Sequence, residues 1–155
     1  MRRFWVGLVA IASIPLVLPL QLGATDKSKL SESKVKITAD ASKVGPDGKQ
    51  NVTLTLTIEK GWHIYANPVN FEDLAGAQTV VKVSAKGKVS NVAVNYPPGK
   101  MYAKEKYDVY EGTIKIPVSL KRAAGDTSPL EVSVFVQACD HNVCLKESTI
   151  SLTVK

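Results

Sequence analysis

From Lys34 to the C-terminus, the apolar residues of this 155-residue chain recur at nearly every second position. Val35, Ile37 and Ala39 form one such set. Val52, Leu54, Leu56 and Ile58 form another, alternating with threonines. A period of two places one set of side chains on one face of an extended strand, and β-branched residues fit that half-buried surface. Residues 78–85 and 89–95 are two further valine-rich runs around Lys86-Gly87-Lys88. Val109 to Leu120 reads as one long strand, and Pro117 within it marks an edge position or a bulge. The segments 44–49 and 122–129 carry turn residues. The only hint of helix is a turn near Phe71–Ala75. Eight or so short strands separated by turns predict an all-β antiparallel β-sandwich.

The N-terminus has a different character. Met1-Arg-Arg precedes an uncharged run from Phe4 to Leu22, and small residues follow at Gly23-Ala24. This is the pattern of a secretory signal cut after Ala24, with an uncleaved anchor as the alternative. No cysteine follows the run, which excludes a lipoprotein. The expected organisation is a signal peptide over 1–24, a polar lead-in over 25–33 and one domain over 34–155. After cleavage, eighteen Lys and Arg (twenty less Arg2 and Arg3) face fourteen acids, a net +4. The lysines are scattered singly, without a basic stripe or stacking aromatics, so no nucleic-acid partner is expected.

Chemistry concentrates in Val134-Phe-Val-Gln-Ala-Cys-Asp-His-Asn-Val-Cys-Leu-Lys146, which holds the only two cysteines, Cys139 and Cys144. Alternating runs flank it: Val132, Val134 and Val136 before, Ile150, Leu152 and Val154 after. Together they predict a hairpin with the cysteines at its neck, close enough for a disulfide. Export places the pair where disulfides form. A bridge across so short a loop removes only about 2 kcal/mol of unfolded-state entropy. The spacing therefore leans towards a bridge that opens and closes, and a plain structural hairpin bridge is the alternative.

Three blocks stand in order along the chain: Gly61-Trp-His-Ile-Tyr-Ala-Asn-Pro68; Tyr96-Pro-Pro-Gly99 leading to Val109-Tyr-Glu-Gly112 and Ile116-Pro-Val118; and Gln137-Ala-Cys-Asp-His-Asn-Val-Cys-Leu145. Over roughly residues 34–154 the sequence resembles the N-terminal domain of the bacterial thiol:disulfide interchange protein DsbD. The resemblance implies an immunoglobulin-like periplasmic domain that shuttles electrons. It would take them from a thioredoxin-like domain fed by a membrane-embedded partner. It would pass them to thioredoxin-fold oxidoreductases that correct wrong disulfides. By the same resemblance Cys139 and Cys144 are the redox pair, with Cys144 forming the mixed disulfide and Cys139 resolving it, and Tyr65 and His63 line the site. A cap loop bearing a phenylalanine shields the pair in the family's best-known member. The corresponding segment here, Lys100–Lys106, has none, and Met101 or Tyr102 would substitute. The cysteine spacing is also one residue shorter. The membrane electron donor is expected on a separate polypeptide, and the domain is expected to act as a monomer without a cofactor.

Beside the cysteines, an ionised Asp140 would disfavour a thiolate and a protonated His141 would favour one. No helix N-terminus lies in reach, so sluggish, partner-dependent thiols are expected. Trp62 and Tyr65 differ in pleat parity, which suggests core for the first and surface for the second. Tyr107 and Tyr110 read equally as cap residues and as edge-strand aromatics. Two rival functions remain: a non-catalytic exported binding module, and a copper or zinc site built from Cys139, His141 and Cys144 with His63 and Met101.

Overall fold

The computed structural model describes residues 27–102 and 106–155; segment 1–24, expected to be a signal peptide, lies outside them. Among the described residues there are eleven strands: β1 (Val35–Ala41), β2 (Lys49–Ile58), β3 (His63–Tyr65), β4 (Val80–Ala85), β5 (Val89–Val94), β6 (Lys100–Met101), β7 (Asp108–Glu111), β8 (Thr113–Arg122), β9 (Leu130–Val136), β10 (Ala138–Cys139) and β11 (Ser148–Val154). They form three sheets in the orders β1-β2-β8-β5, β10-β3-β7-β6 and β11-β9-β4, with every ladder antiparallel. All three send apolar side chains into one core. It includes Leu54 and Leu56 of β2, Ile116 and Val118 of β8, Val132 and Val134 of β9, and Ile64, Tyr110 and Ala138 of the small sheet.

The period of two locates this core correctly: in β2 and β9 every second residue is buried. The single strand expected over Val109–Leu120 is in fact two. Gly112, at a φ of 66° that side-chain-bearing residues rarely adopt, breaks the run, so that β7 joins the small sheet and β8 the large one. Periodicity cannot register such a break, because apolar alternation resumes on the far side.

Pro117 lies in β8, between β2 and β5, and not in an edge strand. Its missing N–H nevertheless leaves no gap in the ladder. The last pair with β5 is Val94↔Val118, and Pro117 sits just beyond it, accepting a bond from Asn95 N (2.8 Å). Tyr110, read above as a possible edge or cap aromatic, is a core residue at 2% exposure. Its hydroxyl donates to Pro97 O (2.8 Å) and accepts from Asn67 N (3.2 Å), pinning the segments that leave β3 and β5.

β9 and β11 form the expected hairpin, from Leu130↔Val154 to Val136↔Ser148. The cysteines, however, do not extend that sheet. After Val136 the chain changes sheets, and Ala138 and Cys139 pair with Ile64 and His63 of β3. From Lys27 onward the polar lead-in forms two 3-10 turns, Lys27–Lys29 and Ser31–Ser33, held to the strand leaving Cys144.

Candidate functional site

The small sheet β10-β3-β7-β6 builds the site through its pleat. Residues opposite each other in neighbouring strands share a face. Ile64, Ala138 and Tyr110 therefore lie together and enter the main core. The opposite face carries the row Cys144, Cys139, His63, Glu111, each the register partner of the next. Tyr65 and Val109 follow two residues on. That second face is covered by its own apolar cluster, in which Tyr65, Val69, Val109 and Cys139 are buried and Leu74, Ala77, Tyr102 and Tyr107 pack against them. Because both faces are covered, all three residues of β3 are buried.

Cys139 and Cys144 are joined by a disulfide, with Cα atoms 4.0 Å apart. The ladder accounts for this proximity. Leu145 N donates to Ala138 O (2.8 Å) and Asp140 N to Val143 O (2.9 Å). The cysteines between them are thus a non-hydrogen-bonded pair, the antiparallel position at which Cα atoms approach most closely. Within the four-residue loop, Asp140 Oδ1 accepts from Asn142 N (2.7 Å) and Val143 N (2.8 Å). These two bonds hold its carboxyl below the usual carboxylate range. Its charge is therefore spent on shaping the loop.

The two sulfur-bearing residues differ in access. Cys139 is 2% exposed, whereas Cys144 lies at the surface beside the half-exposed Val143. Tyr65 Oη stands 3.6 Å from Cys139 Sγ and 3.8 Å from Cys144 Sγ, a position from which its hydroxyl can donate to either sulfur. Tyr107 packs edge-on against the Tyr65 ring (5.4 Å) and stacks with Tyr102 (5.6 Å, 11°). The Tyr102 ring in turn lies 4.6 Å from His63, and its hydroxyl meets His141 Nδ1 at 2.6 Å. Tyr102 thus ties the segment between β6 and β7 to the cysteine loop.

His63 is 3% exposed, and its Nε2 has no hydrogen-bond partner among the described residues. Burial pushes the imidazole below its ordinary pKa, against the opposing influence of Glu111. The ring lines a cleft of about 360 Å3 together with Trp62, Tyr102, Glu111, Gly112 and His141.

Of the residues singled out from sequence, the structure brings together Cys139, Cys144, Tyr65, His63, Asp140, His141 and Tyr102. Met101 is not among them. On β6 it pairs with Asp108, which puts it on the pleat face opposite that of Cys139, and it stands 66% exposed. Tyr65 departs from the expected division and is buried, whereas Trp62 is half-buried against the main core, with Lys34 Nζ 5.1 Å from its ring centroid. Pleat parity does not separate the two because β3 is covered on both faces. Among the described residues no group of three His, Cys, Asp or Glu side chains is placed to hold a metal.

Sequence reasoning missed Ser31. It is fully buried; its Oγ accepts from Ala138 N (2.8 Å) and donates to Lys146 O (2.8 Å), bridging the two chains that carry the cysteines. A serine in a polar tract gives no periodic signal, so nothing local announces this role.

Comparison with known proteins agrees with this arrangement. Residues 28–155 match the family described as thiol:disulfide interchange protein DsbD, N-terminal. The match reaches back over the segment that contains Ser31. Among solved structures, the N-terminal periplasmic domain of ScsB from Proteus mirabilis superposes with a TM-score of 0.57 at 18% identity, which shows the shared fold. That alignment covers 78% of this chain and 46% of the ScsB chain, so the present chain spans less than half of that relative. The reduced N-terminal domain of DsbD from Neisseria meningitidis aligns with a TM-score of 0.45 at 16% identity, over 81% of this chain and 86% of that one. A complex of the DsbD and PilB N-terminal domains from the same organism gives 0.46 at 15%, over 76% and 80%. No curated protein matches the sequence.

Proposed function

The chain belongs to the family of N-terminal domains of the thiol:disulfide interchange protein DsbD, and from that premise we propose that it is a periplasmic electron relay acting as a monomer. In its disulfide form it accepts two electrons from a thioredoxin-fold donor that is itself fed by a separate membrane protein. In its dithiol form it hands them to thioredoxin-fold oxidoreductases that correct wrong disulfides. Domains of this family are periplasmic, which agrees with the signal-like segment at residues 1–24.

The observation that carries this reading is the unequal exposure of the two sulfur-bearing residues. Disulfide exchange proceeds by attack of a thiolate along an open path to one sulfur. Cys144 offers that path and Cys139 does not. An incoming partner thiolate bonds to Cys144 Sγ, and Cys139 leaves as the reduced sulfur, where the Tyr65 hydroxyl is placed to donate to it. The partner's second thiol then attacks the partner sulfur of that mixed disulfide, forming the partner's disulfide and releasing Cys144 as the second reduced sulfur, which completes the two-electron transfer. The reverse sequence reduces an acceptor. A purely structural bridge has little to do here. It closes only a short loop, and Ser31 already ties the two chains together just below it.

Trapping tests the reading. Cys139→Ala leaves Cys144 without its resolving thiol, so partners accumulate as stable mixed disulfides recoverable from the periplasm. Recovery of no disulfide-linked protein, or the same recovery from Cys144→Ala, contradicts the relay.

A further inference from the structure

Exchange through Cys144 leaves a requirement unmet. When the reduced protein has formed a mixed disulfide, Cys139 must attack Cys144 Sγ, and a buried thiol first has to lose its proton. Cys139 is 2% exposed and carries no charge-stabilising helix terminus, so water and hydroxide reach it poorly. The residue opposite it in the ladder is His63, and the residue opposite His63 on the other side is Glu111. Directly opposed side chains on one sheet face stand about 5 Å apart at Cβ. Nucleophile, imidazole and carboxylate thus lie in a row across three strands.

From this row we infer that His63 is the proton acceptor for Cys139 in the resolving step, with Glu111 favouring the imidazolium that forms. The inference rests on the relay proposed above and names a further part of its machinery. Cys139 Sγ bonds to Cys144 Sγ while the bond from Cys144 to the partner breaks. The partner sulfur departs with the electron pair and is reduced, and the two cysteines are oxidised to the disulfide. The proton of Cys139 passes to His63 and leaves through the cleft to water or to the departing thiolate.

Three further observations fit. His63 Nε2 has no partner among the described residues, so no other hydrogen bond competes for an incoming proton. The imidazole lines an open cleft, which gives that proton an exit. Burial keeps the ring neutral near pH 7, the state in which it accepts. The groups facing it are Glu111 on β7 (itself ion-paired with Lys100 of β6 at 3.0 Å), Asp140 and His141 on the cysteine loop, Tyr65 on its own strand, Tyr102 above the ring, and Lys60 lining the same cleft. Glu111 and Asp140 favour the charged imidazole and His141 opposes it.

Ellman's disulfide reagent, added to the reduced full-length protein, separates the two steps without any protein partner. Cys144 attacks first and releases one coloured thiolate; Cys139 then closes the disulfide and releases the second. In His63→Gln the second release is expected to slow about 100-fold near pH 7. It should recover tenfold per pH unit until it meets the unsubstituted rate above the ordinary thiol pKa of about 8.5. The first release stays unchanged. Glu111→Gln, a milder change, moves the pH at which the second release fails to a lower value. A second release in His63→Gln within about threefold of the unsubstituted protein at pH 7 overturns the inference, as does slowing by one factor at every pH. Because no partner is present, failure here is distinct from failure of the trapping experiment.

Discussion

At the scale of single residues, His63 makes a buried imidazole part of the protein's response to pH. Its folded-state pKa lies below the ordinary 6.5, because burial disfavours the charged ring. As pH falls, the unfolded chain therefore binds this proton before the folded one does. The contribution of His63 is fully present above about pH 6.5, declines as pH drops towards the lowered folded value, and levels off below it. Asp140 is also lowered, so its contribution is lost only further down, as pH falls through a value beneath 3.8. The two windows separate. Urea denaturation should accordingly give a lower midpoint at pH 5, below the His63 onset, than at pH 7, above it. In His63→Phe that loss should disappear; an equal loss in both proteins would remove His63 as its source.

At the scale of elements, the cysteine hairpin is held from outside by the segment around Ser31. One hydroxyl satisfies Ala138 N–H and Lys146 C=O, and backbone bonds from Ser31 N to Lys146 O (2.9 Å) and from Lys146 N to Lys29 O (3.2 Å) run beside it. Ser31→Ala leaves Ala138 N–H without its partner and removes one of the two bonds to Lys146 C=O, at a cost of about 1–3 kcal/mol. The check is the free energy of unfolding from urea curves; an unchanged value would mean that the hairpin holds itself. The same elements mark what could be read from the chain beforehand. Strands β2, β8, β9 and β11 were legible because each buries one face against a single core, which imposes the period of two. Tyr65, His63 and Tyr102 were reached through resemblance to a family, since β3 is covered on both faces and has no alternation to read. Ser31 and the break at Gly112 were not legible: one acts through contacts more than a hundred positions away, and the other leaves the hydrophobic pattern intact on either side. The position of Met101 was not legible either, because pleat parity on β6 is set by its register with β7, which the sequence does not show.

For the whole molecule, the site and the core occupy opposite faces of one small sheet. The core face is fixed by Ile64, Ala138 and Tyr110, and the site face by an aromatic cluster that closes over Cys139 and leaves Cys144 at the surface. Opening the disulfide therefore disturbs the second layer and not the first. Such a scaffold can change oxidation state while keeping its fold, which a relay between two partners requires. The reduction potential of the Cys139–Cys144 pair, measured by equilibrating the protein in glutathione or dithiothreitol buffers, tests this account most directly. A working exchanger should lie at about −180 to −270 mV, whereas a value below about −300 mV would mark a bridge that its partners never open.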